Sequence, residues 1–316
     1  MSLGALSAQA AGGTVKVYYA ASLKALNEND IGPQYASATG YTYQGYPENS
    51  GLIVNQIKAS EIQPDVVEFA DASLNAQLMG SANGNIVNWY ITFARTHLVI
   101  GYCPTSPFAA TFKKVAKGKE SWWKALLSPG LKFGRTDPNS DPKGYRTVMA
   151  FALAQKLYYK HIKGFPKNFS QRVLGKIYNP DTAGQNSTSP QVFPEATLVS
   201  QVSTCNLDAG VFYLPEARAA QLPYFGLPTP ISFGASKYAK LDATEKYTNN
   251  LGVTTKGSPV YYTISIPSTV QNQPGAVAFV KFVLGSQAAT DEASIGLQEV
   301  PHTIYGNKSD VPPGIF

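Results

Sequence analysis

The sequence predicts an α/β protein built as two lobes. Three observations carry this. Strand, small polar turn and helix repeat three times near the start of the chain, the pattern of a parallel sheet with helices on its faces. The length of 316 residues exceeds one small core and fits about two domains. After a second α/β block, an apolar strand and helix near the C-terminus resume the first block's pattern.

The first block opens with "VKVYYAAS" (15–22), a β-rich run ending in small residues, followed by the helical pattern "LKALNEND". "YTYQGYPENS" (41–50) reads as a strand entering a Ser-capped segment, and "GLIVNQIKASEI" as its helix. "PDVVEFAD" (64–71) is a strand ending at Asp71, with "ASLNAQLM" as a third helix. In open α/β sheets ligands bind beyond the carboxyl ends of the strands. Ser22, Ser50 and Asp71 all fall there, each at a helix start. Capping alone explains any one of them, but three in consecutive units converge on one sheet edge.

The second block starts near "RTHLVIGYC" (95–103) and includes the helix after Asp141, the strand "DAGVFYL" (208–214) and a helix from about Pro215. The strand "PVYYTISIP" (259–267) then leads into "GAVAFVKFVLGSQAATDEA", read as one amphipathic helix. Segment 226–258, rich in Gly, Pro, Ser and Thr, reads as irregular with room for a hairpin, and "SDVPPGIF" as a surface tail. The expected division is 14–95 with 265–316 as the first lobe and 96–264 as the second. Residues 1–13, with Ala8-Gln9-Ala10 as a small-x-small site and no apolar run before it, are expected to be the tail of a removed export signal behind a short added start.

Composition narrows the function. Charged residues are 15%, below the roughly 25% of an average soluble protein, so polarity comes through 19 tyrosines and the hydroxyl and amide side chains. The net charge of +6 is dispersed, and the densest run (Lys113, Lys114, Lys117, Lys119) reads as a solvated helix face or loop. Without a basic stripe, nucleic acid is not an expected partner; a modest positive field would steer an anion. No run of 18 apolar residues occurs, and nothing reads as a membrane span. Cys103 and Cys205 fit either one disulfide or two buried thiols. Asn168, Asn186 and Asn307 are weak sequons. His97, His161 and His302 lie outside any GxSxG, HExxH or CxxC context, His97 in an apolar strand.

The segment "NSDPKGYRT" (139–147) places Asp141 at a helix start with Pro142 behind it, the common cap followed by proline at the first helical position. The same helix start would attract an anion.

Several segments together carry a resemblance: "VYYAASL", "PENSGLI", "PDVVEFAD", "DPNSDPKGYRTVMAFALAQKLYY" and "GSPVYYTISIPSTVQNQPGAVAFVKFVLGSQ". They are similar to the periplasmic or extracellular molybdate/tungstate-binding proteins of ABC importers, most of all the archaeal-type subgroup, from about residue 15 to about 312. The resemblance implies a type II periplasmic-binding fold, two α/β lobes joined by two crossing segments with ligand in the cleft. It implies a monomer, either exported or held by a removed N-terminal anchor, with no cofactor, and with a small inorganic oxyanion and a membrane permease as partners. By the same resemblance Ser22, Ser50 and Tyr213 reach the oxyanion; Asp71, from its strand end, and Ala21, next to Ser22, are expected to line the same ligand site. Asp141 and Glu195 (of "VFPEATLVSQV") complete a six-coordinate metal centre in bound molybdate or tungstate. Ala21, Glu48, Asn49 and Phe69 depart from the family's usual residues. Sulfate, phosphate, Fe(III) or a small organic acid are the alternative ligands. Asp141 and Glu195 as the acid and base of a hydrolase is the enzyme alternative, for which no sugar-binding platform is evident.

Two ionised acids beside a dianion repel it in a low-dielectric cleft. Three resolutions stay open: a protonated acid, an acid turned away to cap its helix, or an acid oxygen bound directly to the metal of the oxyanion. Molybdenum and tungsten expand from four to six oxygens; sulfur and phosphorus do not do so readily. The matched motifs show no evident buried Lys or Arg for the ligand, which points to selection by geometry. Arg146, one turn past Asp141, is expected to pair with a carboxylate or pack rather than touch ligand.

Overall fold

A computed structural model describes residues 12–174 and 191–316. The Ala8-Gln9-Ala10 site and the Asn186 sequon lie outside the described residues. Thirteen strands are described: β1 (Thr14–Ala20), β2 (Thr42–Glu48), β3 (Val66–Phe69), β4 (Trp89–Thr96), β5 (Leu98–Tyr102), β6 (Phe133–Thr136), β7 (Val192–Phe193), β8 (Ala209–Tyr213), β9 (Tyr224–Gly226), β10 (Lys246–Thr248), β11 (Thr254–Lys256), β12 (Val260–Ser265) and β13 (Gln298–Gly306).

Two sheets divide the chain. The first has the order β13-β4-β12-β3-β1-β2 and the second β7-β6-β8-β5-β9, while β10 and β11 form a separate hairpin. Each sheet contains a parallel trio with antiparallel strands beside it. In the first lobe β2 and β3 flank β1 in parallel; in the second β7 and β8 flank β6 in parallel. The central strands earn their place by composition. β3 is buried at every residue, as expected of an apolar strand covered on both faces. β2, whose "TYQGYPE" mixes polar residues and proline, forms the sheet edge.

The chain crosses between sheets twice. "RTHLVIGYC" is not one strand: β4 ends at Thr96 in the first sheet and β5 starts at Leu98 in the second, with His97 between them. The return lies before β12, which pairs antiparallel with β3 and β4. A boundary at residue 264 would have left this strand in the second lobe; its ladder partners put the crossing earlier, between β11 and Val260.

Other elements differ from the pattern reading for local reasons. The return helix is two helices, Gln273–Val283 and Ser286–Ser294, because Gly285 adopts an extended conformation (φ −88°, ψ 165°) between them. "ASLNAQLM" winds as a tight 3₁₀ helix, Ala72–Gln77. "LKALNEND" begins a longer helical run through Lys24–Thr39 with a π turn at Asn27–Ile31. Pro33 lacks the N–H that the Asn29 carbonyl would receive in a regular α-helix, a usual cause of such widening. The C-terminal "SDVPPGIF" runs along the surface after β13, with Ile315 buried as its anchor. Cys103 and Cys205 form a disulfide with Cα atoms 5.2 Å apart.

The helix Pro142–Tyr158 is buried at every position from Pro142 to Phe151. A helix buried all round has no solvent face on which to place its charges. Lys143 and Arg146, both fully buried, must find partners inside the protein.

Candidate functional site

The two parallel trios point their carboxyl ends at one another. In the first lobe β1 runs into the turn Ala21–Leu23 carrying Ala21 and Ser22, β2 precedes the helix Ser50–Lys58, and β3 delivers Asp71. In the second lobe β6 leads through a loop to Asp141, β7 to Glu195 at the start of the helix Glu195–Ser203, and β8 ends on Tyr213. Contacts across the lobes close the gap. The Gly51 N–H donates to Ser140 O (3.0 Å), and Asn49 Nδ2 donates to Ser140 Oγ (3.1 Å). A Cβ on Gly51 would stand 2.5 Å from Ser140 O, so only glycine permits this approach.

Every site residue expected from the sequence is buried except Ala21, which is partly exposed. Ala21, Ser22, Glu195 and Glu216 line a cavity of about 530 Å³ that runs outward between the lobes, with Lys24 and Glu28 also on its wall. Neither serine caps its helix with its side chain. Instead, Ser50 Oγ accepts from the Ala70 N–H (3.2 Å) and Ser22 Oγ accepts from the Tyr262 hydroxyl (2.9 Å). Tyr213 Oη accepts from Arg146 Nη1 (2.9 Å).

The carboxylates divide into three situations. Asp71 is spent on the protein: Oδ1 accepts from Ser73 N (2.8 Å), and Oδ2 accepts from Arg146 Nη2 (2.9 Å) and Tyr145 Oη (2.5 Å). That departs from the expectation that Asp71 faces the ligand; it ties the first lobe to the helix Pro142–Tyr158 of the second. Arg146 pairs as expected, and it also donates to Ala70 O (3.0 Å) and Ser258 O (3.2 Å). Asp141 caps its helix through Oδ1, which accepts from Lys143 N (2.7 Å), while its buried Oδ2 has no hydrogen-bond partner among the described residues. Glu195 Oε1 accepts from Lys143 Nζ (3.1 Å).

Lys143 corrects the reading that no buried cation stands in these motifs. Its ammonium lies between Glu195 and Glu216 Oε1 (2.5 Å), and Glu216 Oε2 in turn accepts from the Tyr213 N–H (2.8 Å). Burial alone would push this ammonium down, but Glu195, Glu216 and Asp141 outweigh it and hold the pKa above its ordinary value. The acids feel the same crowding from the other side. Burial pushes Glu195 well above the usual carboxylate range, and the charge of Asp141 adds to it against the opposing Lys143. Burial also raises Glu216, which Lys143 and the Tyr213 N–H oppose. Of the two glutamates that contact Lys143, Glu195 is pushed harder toward keeping its proton.

Lys143, Glu216, Tyr145 and Tyr262 were not singled out from sequence. Glu216 carried a usable signal: it stands three residues past the helix cap at Tyr213 and accepts from that residue's N–H, the capping-box position. Lys143 and Tyr145 sit inside "DPKGYR", where charge and hydroxyl resemble an ordinary exposed first turn; only burial of that turn gives them a role.

Comparison with known proteins agrees with this architecture. A family model described as "Bacterial extracellular solute-binding protein" matches residues 15–290. An uncharacterized solute-binding protein of Petrotoga mobilis is 30% identical over 237 residues, covering 70% of this chain and 67% of that protein. The molybdate/tungstate-binding protein WtpA of Pyrococcus abyssi is 29% identical over 253 residues, covering 78% of this chain and 71% of that protein. Among solved structures, the periplasmic molybdate-binding protein of Azotobacter vinelandii superposes with a TM-score of 0.60 at 15% identity, over 90% of this chain and 99% of that one. That last likeness is one of fold, the two-lobed type II periplasmic-binding architecture.

Proposed function

The chain belongs to the bacterial extracellular solute-binding protein family, and from that premise we propose that it captures molybdate or tungstate outside the cytoplasm and delivers it to an ABC permease. The observation that carries this is the buried, unpartnered Oδ2 of Asp141. A carboxylate oxygen excluded from water and given no donor needs either a proton or a cation. An oxyanion whose central atom can expand its coordination supplies that cation; sulfate and phosphate do not. Glu195, beside Asp141, is the second candidate oxygen donor to the metal. Ser22, Ser50 and Tyr213 bind the oxyanion's oxygens, and Ala21 lines the approach.

The site's own groups support the reading against the other ligands. Lys143 and Arg146 are each engaged by carboxylates, so neither is free to hold an arbitrary anion. Burial raises the phenols of Tyr145, Tyr213 and Tyr262, which disfavours the phenolates that Fe(III) prefers. The proposed role is capture between lobes and release by hinge opening, with no chemistry on the ligand.

Thermal unfolding tests this. Molybdate or tungstate at about a hundredfold above Kd should stabilise the protein by about 2.7 kcal/mol, an upward shift of several degrees. Sulfate and phosphate at the same concentration should give little. Equal shifts with all four anions would overturn coordination through Asp141.

A further inference from the structure

Ser22, Ser50 and Tyr213 have one feature in common beyond their position. Each hydroxyl oxygen already accepts a hydrogen bond from a buried donor, which engages one lone pair and turns its single proton away from that donor. For two of them the direction is fixed by chemistry. A guanidinium has no acceptor, so Tyr213 Oη must receive the bond from Arg146 Nη1 (2.9 Å). A backbone N–H has none either, so Ser50 Oγ must receive the bond from Ala70 (3.2 Å). For the third, Tyr262 is fully buried, and its hydroxyl has Ser22 Oγ (2.9 Å) as its sole hydrogen-bond partner among the described residues. A buried phenol proton without an acceptor is costly, so Tyr262 donates and Ser22 accepts.

The three donors form one connected unit. Arg146 Nη1 also donates to Ala70 O (3.0 Å), the residue whose N–H holds Ser50. The rings of Tyr213 and Tyr262 meet edge to face with centroids 6.4 Å apart. Among the described residues, the protons of Ser22, Ser50 and Tyr213 meet no protein acceptor.

We propose that Tyr262, Arg146 and the Ala70 peptide are positioning groups that orient the hydroxyls of Ser22, Tyr213 and Ser50 so that each offers its proton to an oxygen of a bound oxyanion. This rests on the oxyanion reading and adds how the hydroxyls are held ready. Without the buried donors each hydroxyl could rotate freely; with them, one lone pair is engaged and the proton is turned away from the buried donor. Tyr262 is the member whose role is least visible otherwise, since it reaches the ligand only through Ser22.

Calorimetric titration with molybdate decides this in a double-mutant cycle of Tyr262→Phe and Ser22→Ala. Tyr262→Phe keeps the ring and its packing and removes the bond to Ser22. It is expected to weaken molybdate binding about 3- to 10-fold, the range of one hydrogen bond. In the Ser22→Ala background the same change should cost nothing further, because its target is gone. A purely structural role for Tyr262 would give the same loss in both backgrounds, and that result, or a loss under about twofold in the native background, overturns the proposal. If Tyr262→Phe does not fold, Tyr213→Phe serves: it removes an oriented proton and should cost at least about tenfold, and unchanged affinity overturns the proposal. Failure of the unaltered protein to bind molybdate, tungstate, sulfate or phosphate would overturn the oxyanion reading itself, and this inference with it.

Discussion

The two lobes offer their trios of parallel strand ends in the same geometry but with opposite chemistry. The first contributes two hydroxyls, Ser22 and Ser50, and an acid, Asp71, whose oxygens are fully engaged by Arg146, Tyr145 and Ser73. The second contributes two acids, Asp141 and Glu195, around the ammonium of Lys143, and one phenol, Tyr213. In the proposed reading the first lobe offers hydroxyl donors, and the second sets one hydroxyl donor, Tyr213, beside two carboxyl groups; an oxyanion with an expandable metal centre would suit both sides.

The largest test of this division is Lys143→Met. It removes the one charge that balances Glu195 and Glu216, and leaving buried carboxylates unpaired should cost about 3–5 kcal/mol. Chemical denaturation measures it, and a loss below about 1 kcal/mol would mean the acid pair is not held by Lys143.

A smaller effect separates the two duties of Asp141. As a cap alone, Asp141→Ala should cost about 1 kcal/mol of stability and leave anion preference unchanged. As a metal ligand as well, it should also erase the advantage of molybdate over sulfate in competition binding.

The smallest effect tests a contrast in how the lobes treat buried acids. The second gives its acids a lysine; the first leaves Glu292 with a buried Oε1 that has no partner, and burial, with Glu68 nearby, pushes its pKa up to about 9. Glu68, hydrogen-bonded by Asn27 (2.6 Å), is pushed up by burial to about 7. These acids hold protons in the folded state that the unfolded chain has lost above about 4.5. Their contribution to stability is full below that pH and is lost as pH rises toward 7 for Glu68 and 9 for Glu292. The melting temperature should fall across this window, and Glu292→Gln should flatten the upper part. An unchanged slope would show that Glu292 is not the protonated group.

The sequence by itself determined the repeating strand–turn–helix units, the departure into a second block and the return, because alternating apolar runs and small polar turns are local features. It also marked Ser22 and Ser50 at strand ends and Asp141 at a helix start, while Glu195 and Tyr213 were reached through the family resemblance. It did not separate β4 from β5, did not place β12 in the first sheet, and did not show the break at Gly285, since pairing partners and one residue's dihedrals are invisible to periodicity. Only the tertiary structure decided which charges are paired. Asp71 and Asp141 look alike in sequence, each an aspartate at a helix start; one is consumed by a guanidinium and a phenol from the opposite lobe, the other keeps a bare oxygen. Lys143 reads as an exposed first-turn lysine until its helix is buried between the lobes. The physical reason is that desolvation and Coulomb energy depend on distances across the cleft, between residues far apart in the chain, and no local pattern carries that information.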